Sequence, residues 1–438
     1  MLFDMDYQAI SSSSDRPTSA IRHAFFSPLS SIPGPLINKF FQSAAAYHAY
    51  STELHAKYGE IVRIGASYVS LSNTSDTRLK GVAYTKGQLT KQNSFSTVDP
   101  EFNKVRRPPR LEIPLRCTRY GVSRTWLLAR VLTSLIKAWD AEISKQGGTA
   151  RVNYFYALHR MGNTEVIDNM QSMMHLKSII TVMPFVNRVP WLFPKLKKCP
   201  PRVDILQKMI DASDPATGQI IDGDNLVSEV GLMLIAGTDT TSNTLSYTLT
   251  HLLHNPGVYR RATEEVRSVF PDALPYLSAV IHEAMRLNPS VFLLTGQTIQ
   301  GHHIPKDAQI CISVFACQRN PRTWDNPNVF DPKRFLGTDS AEKLKDVLTF
   351  SSGVRVCIGR NLAWVEIYTV LANILRRYNF SLPEDAPYGP HRLDRLGVPV
   401  EIPAASFIDN CCVNITLAGG LITGPSRTHQ SLHIYKIL

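Results

Sequence analysis

The sequence predicts a mainly α-helical fold with small β-sheets, and three observations carry that prediction. Apolar residues recur at three- and four-residue spacing through long stretches, the longest opening at Asp224 and running to about His254. Runs that alternate as strands do are short: Ile61–Ile64, Tyr68–Leu71 and Gln309–Phe315. Proline and glycine, 28 and 24 of the 438 residues, separate these runs. A chain of this length with 44% hydrophobic residues holds a sizeable core and accommodates one large domain or two ordinary ones.

Taken in order, residues 1–31 read as a flexible lead, acidic and serine-rich at Met1–Ser14 and unlike a signal peptide. Ile32-Pro-Gly-Pro35 makes a stiff turn, and Leu36–Tyr58 carries helical spacing that ends at Gly59. Ile61–Ile64 and Tyr68–Leu71 form a hairpin about Gly65, and Trp126–Ser144 is the next helix. In the longest helix, Leu226, Val230, Met233, Leu234, Leu245, Leu249 and Leu252 build the apolar face. Asn255 and Pro256 then start a second helix as N-cap and first residue. Leu274–Leu287 is helical, and Thr298–Ile304 and Gln309–Phe315 alternate as strands about an Ile304-Pro-Lys-Asp turn. A last helix follows Gly359 and ends near Arg377, with Leu362, Val365, Val370 and Ile374 among its apolar positions. Residues 411–438 show no strong period and are expected to form a poorly ordered tail.

Composition narrows the classes of function. The formal charge of +11 is spread along the chain, which suits simple solvation, or docking to an acidic protein or a membrane surface. No basic block alternates with aromatics, which argues against nucleic acid as a partner. Seven cysteines, an odd number without zinc-like spacing, argue for a reducing compartment and against a disulfide framework. No apolar run is long enough to span a bilayer, and no internal repeat is present.

Three constellations carry chemistry. Phe350-Ser-Ser-Gly-Val-Arg-Val-Cys-Ile-Gly359 sets Cys357 at the end of a tight loop facing the start of a helix. Amide N–H groups and the helix dipole favour negative charge there, as a cysteine that stays ionised while holding iron requires. Taken alone, Cys357 reads more readily as a small buried hydrophobe. Ala236-Gly-Thr-Asp-Thr-Thr241 interrupts good helix composition at a cost of about a few kcal/mol in propensity. Its hydroxyls and glycine favour a local widening of the helix, and the plain alternative is a capped break in a core helix. Glu283 and Arg286 share one helix face and can pair, a very weak signal until a third partner is found.

Phe350, Gly353, Arg355, Cys357 and Gly359 fit Phe-x-x-Gly-x-Arg-x-Cys-x-Gly, and through them the chain resembles the cytochrome P450 family. The resemblance implies that Cys357 is the axial ligand of a haem b iron. It further implies that Phe350 shields the sulfur, Gly353 permits the turn, Arg355 reaches a haem propionate and Gly359 lets the helix backbone come close. Ala236–Thr241 resembles the family's acid–alcohol element, in which Asp239 and Thr240 relay protons during dioxygen activation and Gly237 leaves room for the oxygen molecule. Glu283-x-x-Arg286 and Phe330-Asp-Pro-Lys-Arg-Phe335 resemble the family's structural lock behind the cysteine loop, with Arg334 as third member. Lys104, Arg106 and Arg107, or Trp126 and Arg130, could serve the propionates, and neither set is assigned. The stretch Pro289–Gln297 lacks the family's usual propionate arginine and is mostly apolar at Val291–Leu294.

By this resemblance residues 32–402 form a single domain of the cytochrome P450 fold, preceded by a lead without a membrane anchor and followed by an atypical tail at 403–438. The activity implied is hydroxylation of a lipophilic small molecule, plausibly in fungal secondary-metabolite biosynthesis. Electrons would come from NADPH through a flavin reductase, the NADPH–cytochrome P450 reductase, docking on the cysteine side. The family habit is residence on the cytosolic face of the endoplasmic reticulum membrane; with no anchor, peripheral membrane contact or a cytosolic location is the expectation. Three other readings stay open. A peroxide-rearranging member would need no reductase, but such members often lose the acid–alcohol pair. A shortened, catalytically impaired haem-binding product would account for compressed stretches near residues 100–125, 170–200, 270–274 and 290–297. A basic membrane- or protein-binding module without haem would require the motifs to be coincidence.

Overall fold

The structure, a computed structural model, describes residues 24–39, 52–65, 68–73, 121–159, 223–268, 274–289, 293–295, 302, 309–352, 356–384 and 411–418. Its helices are α1 (Gly121–Lys145), α2 (Tyr154–His159), α3 (Gly223–His254), α4 (Pro256–Arg267), α5 (Pro275–Leu287), α6 (Val314–Cys317), α7 (Ser340–Lys345) and α8 (Arg360–Arg377). Residues 52–58 add a short helix, and Pro28–Ser31, Leu36–Lys39 and Pro332–Phe335 are 3-10 turns. Its strands are β1 (Ile61–Gly65), β2 (Tyr68–Leu71), β3 (Thr149–Asn153), β4 (Leu293–Thr295), β5 (Gln309–Ile312), β6 (Tyr378–Ser381) and β7 (Cys412–Leu417).

Two small sheets result. In the order β1-β2-β5-β4, the hairpin pairs antiparallel with Ile61 opposite Leu71, while β2 and β5 run parallel with Val69 opposite Ile310. The second sheet, β3-β7-β6, is antiparallel, with Val152 opposite Val413 and Phe380 opposite Ile415. The main core forms where α1, α2, α3, α4, α5 and α8 meet this second sheet, through Trp139, Leu249, Leu277, Ile281, Leu371 and Val413. A second core under the first sheet joins Leu29, Ile32, Leu71, Ile312, Cys317 and Leu348.

Local chemistry explains the helix ends. Asn255 precedes α4, but its side chain donates to the His251 carbonyl at 2.8 Å rather than capping the new helix. α5 begins at Pro275, and its next two N–H groups, on Tyr276 and Leu277, each donate at 2.8 Å to the Glu265 carboxylate of α4. An acid from a neighbouring helix thus supplies the cap that Leu274 cannot. At the far end of α8, Arg377 grips Asp140 of α1 along one guanidinium edge, donating from Nε at 3.1 Å and from Nη2 at 2.5 Å.

Several expectations are corrected. Residues 24–31 belong to the packed structure and not to a flexible lead, since Ala24 and Leu29 are buried and Arg63 donates to the Ala24 carbonyl. The poorly ordered tail fails at 411–418: β7 is the central strand of its sheet, with Val413 and Ile415 fully buried. The strand expected to reach Phe315 stops at Ile312, because the Ser313 hydroxyl accepts from the Ala316 N–H at 3.1 Å and starts α6. Val152 and Asn153 end β3. Lys104, Arg106, Arg107, most of Pro289–Gln297 and residues 385–402 lie outside the described residues, as do the side chains of Trp126 and Arg130.

Candidate functional site

The cysteine loop is tied at both ends. Ser351, at φ 64°, turns the chain with its N–H on the Leu348 carbonyl at 2.8 Å. The Cys357 N–H donates to the Phe350 carbonyl at 2.8 Å, closing the loop on itself. Gly359 then caps α8, and the Ala363 N–H reaches its carbonyl at 2.9 Å. Cys357 is exposed, and a Cβ added to Gly359 would lie 3.9 Å from its sulfur, so the thiol stands beside the first turn of α8. That position gives a thiolate the positive end of the helix dipole. Phe350 packs its half-buried ring against the main core, with the Arg360 guanidinium 5.8 Å from the ring centroid. Gly353 and Arg355 lie outside the described residues.

Behind the loop, the three predicted lock residues meet. Arg286 holds Glu283 as a two-pronged pair at 2.7 and 2.8 Å, and both side chains are fully buried. Arg334 approaches the same carboxylate at 3.3 Å, and the Asp331 N–H adds a bond of 2.9 Å. Arg286 spends its other hydrogens on the carbonyls of Gln318, Pro327 and Val329. All three guanidinium nitrogens of Arg286 and both carboxylate oxygens of Glu283 have partners, which is what makes a buried ion pair tolerable.

Along α3, Thr240 donates its hydroxyl to the Ala236 carbonyl at 2.6 Å, and Ser242, Thr244 and Thr248 repeat the same backward bond. These bonds use the second lone pair of each carbonyl, so the helix stays α-helical throughout; the expected local widening is not seen. Asp239 is half-buried, and burial raises its carboxyl above the ordinary aspartate range. Gly237 is exposed, and a Cβ placed there would meet nothing within 4 Å. His251, which no motif marks, is buried with its Nε2 donating to Asn288 Oδ1 at 2.6 Å and its ring stacked on Phe330. Its spacing of seven and three from Thr244 and Thr248 on the core face is the one signal that points to it.

The burial of α3 and α8 tests whether a haem fits. Both helices contribute to one core, through Leu245, Leu249 and Leu252 on α3 and Ile367, Leu371 and Ile374 on α8. Each loses burial toward its motif: Ala236 and Gly237 are exposed, as are Cys357, Arg360 and Asn361. An exposed thiol beside a helix start suits a thiolate-bound iron. The donor chemistry agrees with haem.

Comparison with known proteins reaches the same place. The cytochrome P450 family profile matches residues 187–399. The chain is 29% identical to cytochrome P450 monooxygenase helB1 of Aspergillus fumigatus, over 88% of this chain and 80% of the relative. It is 27% identical to cytochrome P450 monooxygenase lnbC of Aspergillus flavus, over 86% and 91%, and 24% identical to LUC2 of a Fusarium species, over 81% and 86%. Residues 187–399, which carry the Glu283–Arg286–Arg334 lock and the long threonine-rich helix, belong to the cytochrome P450 family, and the long alignments extend that likeness over most of the chain.

Proposed function

We propose that this chain is a haem-thiolate monooxygenase that hydroxylates a lipophilic small molecule in fungal secondary-metabolite biosynthesis. The observation that carries the reading is Cys357, exposed beside the first turn of α8 in a loop closed by its own N–H. Cys357 would hold the haem iron, with Phe350, Gly353, Arg355 and Gly359 as the surrounding cofactor-binding residues. Haem held by a thiolate supplies the activation of dioxygen.

The chain's own residues do the rest. The start of α8 stabilises the thiolate, and the lock keeps the chain behind the loop in register with α5. Asp239 holds a proton more readily than an exposed aspartate because it is partly desolvated. Thr240 keeps its hydrogen on the Ala236 carbonyl, leaving its oxygen lone pairs to receive a proton from the acid side. The acid holds and the alcohol passes on, a division of labour suited to delivering protons one at a time.

Electrons would come from NADPH through a flavin reductase docking on the cysteine side, and the net charge of +11 suits an acidic partner. The family's habit supports the cytosolic face of the endoplasmic reticulum membrane; among the described residues no helix is long and apolar enough to cross a membrane. The long alignments with the monooxygenases helB1 and lnbC weigh against a shortened, impaired product. The test is the reduced protein under carbon monoxide: the red-shifted Soret band of a thiolate-ligated haem is expected, and Cys357→Ser is expected to abolish it. Failure of the native chain to retain haem would overturn the proposal.

A further inference from the structure

We propose that Gln318 is a positioning residue for the thiolate loop, carrying the placement of the Glu283–Arg286 lock forward to the segment that delivers Cys357. The inference rests on the reading of Cys357 as the iron ligand. Gln318 is fully buried at the end of α6. Its amide oxygen accepts the Leu348 N–H at 2.6 Å, and its amide nitrogen donates to the carbonyls of Met285 at 3.1 Å and Arg286 at 2.8 Å. The orientation of the amide is forced, because Leu348 offers a hydrogen there and the two α5 carbonyls offer none.

Those two carbonyls belong to the last turn of α5, where a helix has no intrahelical donors left. Gln318 fills that deficit and spends its remaining capacity on Leu348, two residues before Phe350. The next residue repeats the tie: the Thr349 hydroxyl donates to the Met285 carbonyl at 3.0 Å. Phe350 then accepts the Cys357 N–H at 2.8 Å. At its other side, the Gln318 carbonyl accepts Arg286 Nη1 at 2.7 Å, so the lock arginine and the loop entry converge on one residue. Glutamine suits the place because one amide supplies an acceptor and two donors; a methionine of similar length supplies neither.

The experiment compares purified holoenzymes by the ferrous carbon monoxide spectrum and the ferric low-spin electron paramagnetic resonance spectrum. Both report the sulfur–iron bond and not turnover. A native chain without a thiolate-type band would overturn the Cys357 reading, and the Gln318 inference with it. Given that band in the native chain, Gln318→Met is expected to raise the unshifted, thiolate-free fraction severalfold, while haem content and helical circular dichroism hold. Thr349→Val should move the same fraction in the same direction by less. Ile374→Ala, a core truncation remote from the loop entry, should lower stability and leave the band alone. A folded Gln318→Met with native spectra would overturn the proposal. If that variant does not fold, native spectra in Thr349→Val would overturn it instead.

Discussion

Thr240 already has a partner for its hydrogen, and that fixes what removing the hydroxyl should do. The bond to the Ala236 carbonyl supplements a helix ladder that stays intact without it, so Thr240→Ala should barely change stability. What the variant loses is an oxygen that can take a proton beside the half-buried Asp239. Product formed per electron consumed should fall by roughly tenfold or more, within the range general acid–base groups contribute, while haem binding persists. Simultaneous measurement of NADPH oxidation and product checks this, and an unchanged ratio would remove Thr240 from the proton path. The lock stands in contrast. Glu283 is fully buried and receives hydrogen bonds from Arg286, Arg334 and Asp331. Glu283→Ala would leave Arg286 charged and unpaired in the interior, a loss of about 3–5 kcal/mol that should show first as failure to accumulate folded protein.

β7 shows how an element can hold a fold together from a stretch that looks featureless. It lies between β3 and β6, and Ile415, fully buried, sits opposite Ala150 and Phe380. Ile415→Ala should cost about 2–5 kcal/mol by opening a cavity in the main core, measurable as a lowered urea midpoint with unchanged slope. A midpoint equal to the native one would mean the strand is dispensable. Its importance was not legible because six alternating residues were weighed inside a long aperiodic stretch, and its partner β3 lies far earlier in the chain. Where the signal is local and long, reading succeeded: the helix expected from Asp224 to about His254 spans Gly223–His254, and the Tyr68–Leu71 strand keeps its bounds. The Glu283, Arg286 and Arg334 side chains could be brought together on paper because their spacing is recognisable. Gln318 could not, since its partners are backbone groups 30 to 33 residues away and any residue supplies those. His251 was hidden for a related reason, as its partner Asn288 is 37 residues distant.

Across the whole molecule, buried His251 and half-buried His282 and Glu366 set opposing responses to pH. Burial lowers His251 to about 4, reinforced by Arg319, His254 and Arg286 against the Asn288 hydrogen bond. Burial, with Arg360 second, lowers His282 to about 4. The unfolded chain binds these protons below its ordinary 6.5 while the folded protein refuses them, so stability is lost as pH falls from 6.5 to about 4. Glu366 on α8 behaves oppositely. Its half-buried carboxyl has no hydrogen-bond partner among the described residues, and burial raises it from 4.5 to about 7. Folded protein keeps that proton where the unfolded chain has released it, so this contribution is full below 4.5 and disappears as pH rises through about 7. Between 4.5 and 6.5 the two histidines outweigh the one carboxyl, and their sum rises with pH; above 6.5, of these three groups, the carboxyl still titrates and its contribution falls. The urea midpoint should therefore pass through a maximum close to 6.5. Glu366→Gln removes the group that falls on the alkaline side. The variant should match or exceed the native midpoint at about pH 8 and turn the maximum into a plateau, while the acid limb, set by the histidines, remains. An alkaline decline that survives in Glu366→Gln would assign it to another group and leave the Glu366 carboxylate ionised in the folded protein.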